Sequence, residues 1–179
     1  MQALEFWKTV ISDQSNFLGR IIGLLEEHGI RYCVIGGQAV NAYTEPVVTL
    51  DLDIAVMVEQ IESARELLAR EFEIEEFPHS LNISAKGSDL RVQMQTDPAS
   101  SAYVARSAKR EVLGLQLPVA AIEDVLKGKI NSASDRTRRP SKQLKDLADI
   151  VRLLEVRCDL SSLVPDTIHQ RISGAQAKE

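Results

Sequence analysis

Hydrophobic and polar positions near the start of the chain change from a helical to a strand spacing. Between residues 4 and 28 the apolar residues recur at close to helical period, and Gly29 follows as a C-cap. Residues 32–35 form a short apolar run with a β-branched centre, which predicts a strand. The pair Gly36-Gly37 ends that run, and residues 38–43 predict a short helix. The pattern therefore indicates a strand that leads through a glycine turn into a helix.

A second strand is predicted over residues 47–58, where apolar residues dominate but Asp51 and Asp53 interrupt them. Because successive strand side chains point to opposite faces, the two aspartates share a face and lie roughly 6.6 Å apart along the strand. Two carboxylates this close repel each other and resist burial. A divalent cation would relieve both costs.

The remaining pattern predicts alternating helices and strands. The predicted elements are a helix over 59–71, strands over 72–77, 81–86 and 90–96, a short helix over 99–106, a hairpin over 111–119 turning at Leu113-Gly114, and helices over 122–134, 141–155 and 163–172. Ser141 is expected to cap the helix that it begins, with Leu144 on that helix's apolar stripe. Residues 173–179 are expected to be disordered.

Composition and charge narrow the class of protein. The chain has 179 residues, a net charge of −5 and two cysteines, Cys33 and Cys158, whose spacing suggests neither a disulfide framework nor a zinc site. No apolar run approaches the roughly 20 residues that span a bilayer, and no signal peptide is recognisable. A soluble cytoplasmic protein with reduced thiols and no membrane partner is expected. The negative charge restricts any nucleic-acid contact to a local patch.

The glycine turn and the aspartate pair are the candidate chemistry. A helix start offers unpaired N–H groups, and glycine allows close approach of an anion, so Gly36 and Gly37 are candidates for holding phosphate. Mg²⁺ is usually held by one or two carboxylates together with substrate phosphates, and Asp51 and Asp53 fit that pattern. The glycine pair and the aspartate pair each have a plainer interpretation. A Gly-Gly pair is often only a turn, and two aspartates can protect an edge strand from aggregation.

In this order and spacing, the motif resembles the signature of the polymerase-β-like nucleotidyltransferases, which is a strand ending in Gly-Gly or Gly-Ser, a short helix, and Asp-x-Asp on the next strand. Gly36, Gly37, Asp51 and Asp53 match it. The small size and the later segments look most like the minimal AbiEii-type enzymes, which include toxins of toxin–antitoxin pairs. The resemblance covers about residues 28–155.

The resemblance implies a fold and a domain plan. The fold class is α/β (α+β), with a small mixed sheet flanked by helices and a C-terminal helical portion. Residues 1–120 would form the nucleotidyltransferase core with its N-terminal helix, residues 121–158 the C-terminal helical portion of the same domain, and residues 159–179 a tail.

The resemblance also implies site residues. AbiEii-like proteins carry a lysine on one late helix and an Arg/Lys-Asp-x-x-Asp pattern on the next, which match Lys129 and Lys145-Asp146 with Asp149. The implied catalytic residues are Asp51, Asp53, Lys129 and Asp146; the nucleotide-binding residues are Gly36, Gly37, Lys129, Arg139 and Lys145; and Asp51 and Asp53 hold Mg²⁺ or Mn²⁺. With the resemblance, Arg136, Arg138, Arg139 and Lys142 would form a local basic patch for triphosphate or for an acceptor such as RNA. Without it, the segment from Arg136 to Asp149 is a basic loop and a solvated helix face.

One position departs from the family pattern. Many relatives carry a third metal carboxylate on the strand that here reads Val92-Gln93-Met94, and Gln93 supplies no negative charge. Either a carboxylate elsewhere substitutes, for which the resemblance offers Asp146, or the site binds a nucleotide poorly and does no chemistry. Two functions therefore stay open. The first is a nucleotidyltransferase that moves a nucleoside monophosphate from a nucleoside triphosphate to an acceptor hydroxyl on tRNA or other RNA, protein or a small molecule, as a toxin with a cognate antitoxin. The second is a catalytically inactive nucleotide-sensing or partner-binding module.

Overall fold

A computed structural model describes residues 16–176. The helices are α1 (Phe17–Glu27), α2 (Gly36–Asn41), α3 (Ile61–Ala69), α4 (Ser101–Ala105), α5 (Ile122–Ser134), α6 (Pro140–Val156) and α7 (Asp166–Gln176). The strands are β1 (Tyr32–Ile35), β2 (Asp51–Val56), β3 (Glu73–Phe77), β4 (Ser80–Ser84), β5 (Arg91–Gln95), β6 (Ala108–Val112) and β7 (Leu115–Val119). Short 3-10 turns cover Val58–Gln60, Pro98–Ser100 and Cys158–Leu163.

The seven strands form one mixed sheet in the order β3-β4-β5-β2-β1-β7-β6. β1 pairs antiparallel with β2, while β2 with β5 and β1 with β7 are parallel. The outer pairs, β3-β4, β4-β5 and β6-β7, are antiparallel. The expected mixed sheet flanked by helices is confirmed, and the strand carrying the two aspartates lies at its centre.

Alternation along β2 separates the core from a polar face. Leu52, Ile54 and Val56 are almost fully buried, whereas Asp51 and Asp53 lie on the opposite side of the strand and are only partly buried. On β5, Val92 and Met94 are buried in the same way. The sheet therefore buries one side of these strands and directs polar groups from the other.

The second predicted strand begins later than its apolar pattern suggests. Residues before Asp51 form a loop in which Val47 and Val48 are 53% and 61% exposed. Asn41 holds this loop, because its side chain donates to the Val47 carbonyl at 2.7 Å and accepts from the Val47 N–H at 3.0 Å. Side-chain hydrogen bonds replace strand pairing here, which is a tertiary effect that local propensity does not reveal.

The late helices also differ from the pattern in detail. α6 starts at Pro140 with Arg139 at the N-cap, so Ser141 is not the cap, and Leu144 is 63% exposed instead of lying on the buried face. α7 begins at Asp166 and runs to Gln176, about one turn past the predicted end at residue 172, so residues 173–176 are helical and not disordered as expected; Ile168 is buried. The first part of the predicted N-terminal helix, residues 4–15, lies outside the described residues. Among the described helices, none is long and apolar enough to span a bilayer.

We expect Gly36→Ala to destabilise the protein by more than about 2 kcal/mol. Gly36 has φ +66°, where a side chain costs about 1–2 kcal/mol, and an added Cβ would lie 2.7 Å from Asp53 Cγ. Gly23→Ala in α1 is the matched control, because a Cβ there meets no atom within 4 Å and a helical alanine is favoured. Urea denaturation measures both. Equal stability of the two variants would contradict the close contact.

Candidate functional site

The glycine bend and the aspartate strand meet directly. Ile35, the last residue of β1, pairs with Asp53, and Gly36 then turns the chain into α2 so that its α-carbon lies against the Asp53 carboxylate. Gly37 faces Thr49, where a Cβ would have ordinary contact. Gln38, which is 2% exposed, donates to the Thr49 carbonyl at 3.3 Å and ties the loop to α2. No side chain caps the N-terminus of α2.

The strands beside β2 continue the polar row. Asp53 is paired with Gln93 of β5, and Asp51 with Arg91, whose guanidinium lies 3.0 Å from the Asp51 carboxylate. Gln93 donates through Nε2 to Ser80 Oγ at 3.0 Å. The position at which a third carboxylate is expected thus holds a neutral amide that is oriented by a hydroxyl on β4.

Burial raises the pKa of Asp53 to about 6. The positive charge of Lys129 opposes this shift, the charge of Asp51 adds to it, and Lys142 and Lys145 oppose it more weakly. The ionised form of Asp53 is therefore disfavoured by burial when no cation contacts it. The three lysines lie on α5 and α6, which places these helices opposite the aspartates.

The donor set fits a hard divalent cation. Asp51 and Asp53 project from the same face, and the absent side chain at Gly36 leaves the Asp53 carboxylate accessible beside the bend. Within residues 16–176, no group of three or more His, Cys, Asp or Glu side chains could hold a metal ion by itself. An ion here would need further oxygens, as Mg²⁺ does when it is shared between one or two carboxylates and a substrate phosphate.

One cleft of about 850 Å³ collects the candidate residues. All eight of the residues implied by the sequence line it, namely Gly36, Gly37, Asp51, Asp53, Lys129, Arg139, Lys145 and Asp146. Such a volume is at the upper end for small-ligand pockets, so it accommodates a nucleotide with room beside it. Arg136, which the sequence grouped with the other basic residues, does not line the cleft.

The helix-side wall of the cleft is cationic. We use this name for Lys129 of α5, Arg138 and Arg139 of the following loop, and Lys142 and Lys145 of α6. Arg139 is the N-cap of α6, a helix of 17 residues whose N-terminus no side chain caps. Ser141 in the first turn also lines the cleft. The positive end of the helix dipole and five cations therefore act together on this wall.

A buried ion network holds Lys129. Its Nζ lies 3.1 Å from Asp146 Oδ1, as a hydrogen bond, and 2.7 Å from Asp149 Oδ2, as an ion pair without hydrogen-bond geometry. The other oxygen of Asp146 accepts from Arg138 at 2.8 Å, and that of Asp149 accepts from Arg152 at 2.8 Å. Asp146 and Asp149 therefore lie on the buried face of α6 and not on a solvated one. Since each carboxylate contacts two cations, the network fixes the Lys129 ammonium and the Arg138 guanidinium next to the cleft.

The sheet-side wall of the cleft contains Gln93 together with residues that the sequence analysis did not single out. We use this name for His79, Gln93, Gln95, Asp97, Ser100 and Tyr103. Asp97 accepts from the Ala99 N–H at 2.9 Å and caps the 3-10 turn at Pro98–Ser100. Burial raises the pKa of the Tyr103 phenol, and the charges of Asp124 and Asp97 raise it further. Strand alternation alone would have placed Gln95 beside Gln93, but the turn residues depend on topology that a single sequence does not reveal.

Asp124 of α5 also lines the cleft. It is 7% exposed and accepts two hydrogen bonds from Arg106, Oδ2 from Nε at 2.9 Å and Oδ1 from Nη2 at 2.6 Å. A bidentate pair of this kind satisfies both partners. Arg106 itself does not line the cleft, so it adds little free positive charge to the sheet-side wall.

We expect Asp53→Asn to stabilise the metal-free protein at pH 7.5 by about 1–3 kcal/mol and to have much less effect near pH 4. The folded pKa of about 6 lies above the usual value for aspartate, so ionisation of Asp53 opposes folding above pH 6 and the penalty fades as pH falls towards the unfolded pKa. Denaturation of wild type and variant in EDTA at both pH values measures the difference. A larger stabilisation at pH 4 than at pH 7.5 would contradict the assigned environment.

Comparison with known proteins identifies the fold. No protein-family model matches the sequence, and no curated protein matches it. The solution structure of the antibiotic-resistance factor ANT(2″)-Ia is 13% identical, with a TM-score of 0.59 over 92% of each chain. The lincosamide antibiotic adenylyltransferase LnuA, bound to lincomycin, is 13% identical with a TM-score of 0.51 over 76% of this chain and 95% of its own. An antigenic nucleotidyltransferase-like protein from Paracoccidioides brasiliensis is 16% identical with a TM-score of 0.50 over 87% and 90%. The chain therefore has the nucleotidyltransferase fold.

Proposed function

We propose that the protein is a metal-dependent nucleotidyltransferase that moves a nucleoside monophosphate from a nucleoside triphosphate to an acceptor hydroxyl. The observation that carries this proposal is the placement of Asp51 and Asp53 beside the Gly36 bend, across one cleft from five cations. Carboxylates that hold a metal and cations that hold phosphate are the two parts that such a reaction requires. The likeness in fold to nucleotidyltransferases supports it.

The triphosphate belongs on the helix-side wall. Arg139, Lys142 and Lys145 surround the first turns of α6, and Lys129 lies opposite Asp53. Arginine and lysine bind phosphate oxygens, and the helix N-terminus adds unpaired N–H groups. The bend at Gly36-Gly37 brings backbone close to the aspartates, where the α-phosphate would have to lie for transfer. In this position the negative charge of the triphosphate lies against the cations of the helix-side wall.

The reaction is an in-line displacement at the α-phosphorus. A bond forms between the acceptor oxygen and the α-phosphorus, the bond to the bridging oxygen of the β-phosphate breaks, and pyrophosphate leaves with the electron pair. The acceptor hydroxyl gives up its proton to solvent water. A bound Mg²⁺ or Mn²⁺ supplies neutralisation of phosphate charge and orients the triphosphate. Asp51 and Asp53 would hold that ion. Lys129, Lys142 and Lys145 stabilise the charge that develops on pyrophosphate.

Asp146 has a positioning role in this proposal. Its two oxygens bind Lys129 and Arg138 at 3.1 and 2.8 Å, so it orders two of the cations and offers no free oxygen to a metal. It therefore does not substitute for the carboxylate missing at Gln93. The ion would be held by two carboxylates, with the remaining ligands coming from phosphate and water.

A second candidate function is a nucleotide-sensing module without catalytic activity. Gln93 favours it, because an amide that hydrogen-bonds Ser80 neither carries charge nor accepts a proton as a carboxylate does. Such a protein would bind a nucleoside triphosphate on the same helix-side wall and release it unchanged. Transfer of labelled nucleotide distinguishes the two functions.

We expect transfer of label from a nucleoside triphosphate labelled at the α-phosphate, and none from one labelled at the γ-phosphate, when the protein and Mg²⁺ are incubated with a total cell extract. Asp51→Asn and Asp53→Asn should each reduce transfer by about 100-fold or more, because each removes a charge that would hold the ion. Asp89→Asn, exposed and outside the cleft, is the control. Magnesium-dependent triphosphate binding without transfer would support the sensing module, and absence of binding would overturn both functions.

The finer proposal is an AbiEii-type toxin with a cognate antitoxin, and it rests on the sequence resemblance alone. Expression of the wild type should then slow growth, Asp51→Asn with Asp53→Asn should not, and co-expression of the neighbouring gene should restore growth. Normal growth on expression of active protein would remove the toxin role and leave the enzymatic activity in place. That separation is useful because the two claims depend on different observations.

A further inference from the structure

The two walls of the cleft carry different charge. Every lysine and arginine that lines the cleft within the described residues belongs to the helix-side wall. The sheet-side wall offers two amides, a hydroxyl, a phenol, an imidazole and the carboxylate of Asp97. Arg91 of β5 and Arg106, which follows α4, lie outside the cleft lining and are paired with Asp51 and Asp124. A triphosphate on the helix-side wall therefore leaves no cation of the cleft lining for a second anionic molecule.

The face of the sheet extends the same chemistry away from the cleft. Directly paired residues on neighbouring strands share a face, so Asp53, Gln93, Asn82 and Glu75 form one row across β2, β5, β4 and β3. Adjacent strands are roughly 4.8 Å apart, which makes this row about 14 Å long. The row begins and ends with a carboxylate and has amides between them.

The neighbouring row ends on an aromatic ring. Ala55, Gln95, Ser80 and Phe77 are paired in the same way, and Phe77 is 44% exposed. Ser80 is engaged with Gln93, which leaves Gln95 and Phe77 as the groups of this row that a ligand meets. His79 lies in the turn between β3 and β4, where it lines the cleft with no hydrogen-bond partner for its ring among the described residues. Amides beside an exposed aromatic face suit a ring compound that has many hydroxyl groups.

An RNA acceptor fits this surface poorly. Proteins gain affinity for nucleic acid largely by neutralising backbone phosphates with lysine and arginine. Here the outward path over the sheet leads from Asp53 to Glu75, next to Glu73 and Glu76 on the edge strand, and the whole chain has a net charge of −5. A polyanion placed there would meet carboxylates instead of cations.

We infer that the acceptor is a small, hydroxyl-rich ring compound with no net negative charge, bound over the sheet-side wall between Gln93, Gln95 and Phe77, and that it is not RNA. This inference rests on the proposed function and specifies its acceptor. The acceptor's hydroxyl approaches the α-phosphate from the side of Gln93, whose amide, oriented by Ser80, positions that hydroxyl by a hydrogen bond. Gln93 thus acts as a positioning residue for the acceptor.

The test uses the full-length protein, Mg²⁺ and nucleoside triphosphates labelled at the α-phosphate, with two acceptor sets. One is a library of neutral and aminated mono- to trisaccharides and cyclitols, and the other is total cellular RNA. Label should appear in one or more members of the library and not in RNA. Label in RNA, or in protein when an extract is added, would overturn the inference, as would intact triphosphate binding with no labelled library member.

Variants separate a binding role from a structural one. Gln95→Ala and Phe77→Ala should each raise the KM for the labelled library member by about 10-fold, which is about 1.4 kcal/mol, while the KM for the triphosphate stays within about twofold. Gln95→Lys should not create RNA labelling. Leu144→Ala, an exposed apolar residue of α6 outside the cleft lining, is the matched control for Phe77. Unchanged acceptor KM in both variants would overturn the assigned wall, whereas loss of triphosphate binding in the wild type would overturn the proposed function itself.

Discussion

The contact between the Gly36 backbone and the Asp53 carboxylate is the constraint on which the rest of the site depends. Pairing of Ile35 with Asp53 brings the end of β1 to this carboxylate, and only a residue without a side chain passes it with a positive φ. The same contact fixes where α2 starts and where the loop to β2 must return. Burial raises the pKa of Asp53 there, so the fold maintains a carboxylate in a place that favours a counter-ion. Ionised Asp53 therefore lowers the stability of the metal-free protein, and the same carboxylate is in place to bind a cation.

The opposite side of the cleft is organised by charge in a different way. Asp146 and Asp149 are nearly completely buried, yet both are paired twice, so the network around Lys129 leaves three cations balanced by two carboxylates. Buried ion pairs of this kind seldom add net stability compared with apolar packing, and their value lies in fixing geometry. The surplus positive charge faces the cleft through Lys129 and Arg138. The arrangement explains how an acidic chain presents a basic wall.

Much of this could be predicted from the sequence because it is local. Alternation along β2 placed Asp51 and Asp53 on one face, the glycines marked the bend, and the hairpin at Leu113-Gly114 and the helix over Ile122–Ser134 followed from spacing. The resemblance then singled out Lys129, Arg139, Lys145 and Asp146, which the fold brings to the same cleft. The predictions that were wrong are those in which tertiary contacts override the local sequence pattern. Val47 and Val48 have strand propensity, but Asn41 binds the backbone of Val47 and holds the segment as a loop. Leu144 fits an apolar stripe that the fold leaves exposed, because Asp146 and Asp149 occupy the buried face. His79 and Tyr103 joined the site only through strand order and turns.

Arg152 of α6 connects this helix to the residues at the end of α2 and just after it. Besides Asp149, it donates to Asn41 Oδ1 at 3.0 Å, to Thr44 Oγ1 at 2.7 Å and to the Glu45 carbonyl at 2.5 Å, and so it joins the second half of α6 to the chain that leaves α2. The first half of α6 bears Lys142 and Lys145 and has no comparable attachment to that chain among the described residues. That half is held elsewhere, because Asp146 pairs with Lys129 and Arg138, and Gln143 donates to the Asp135 and Arg138 carbonyls and accepts from Arg171. α6 therefore has an anchor in each half, and the turn that presents Lys142 and Lys145 to the cleft is attached to the rest of the fold on both sides.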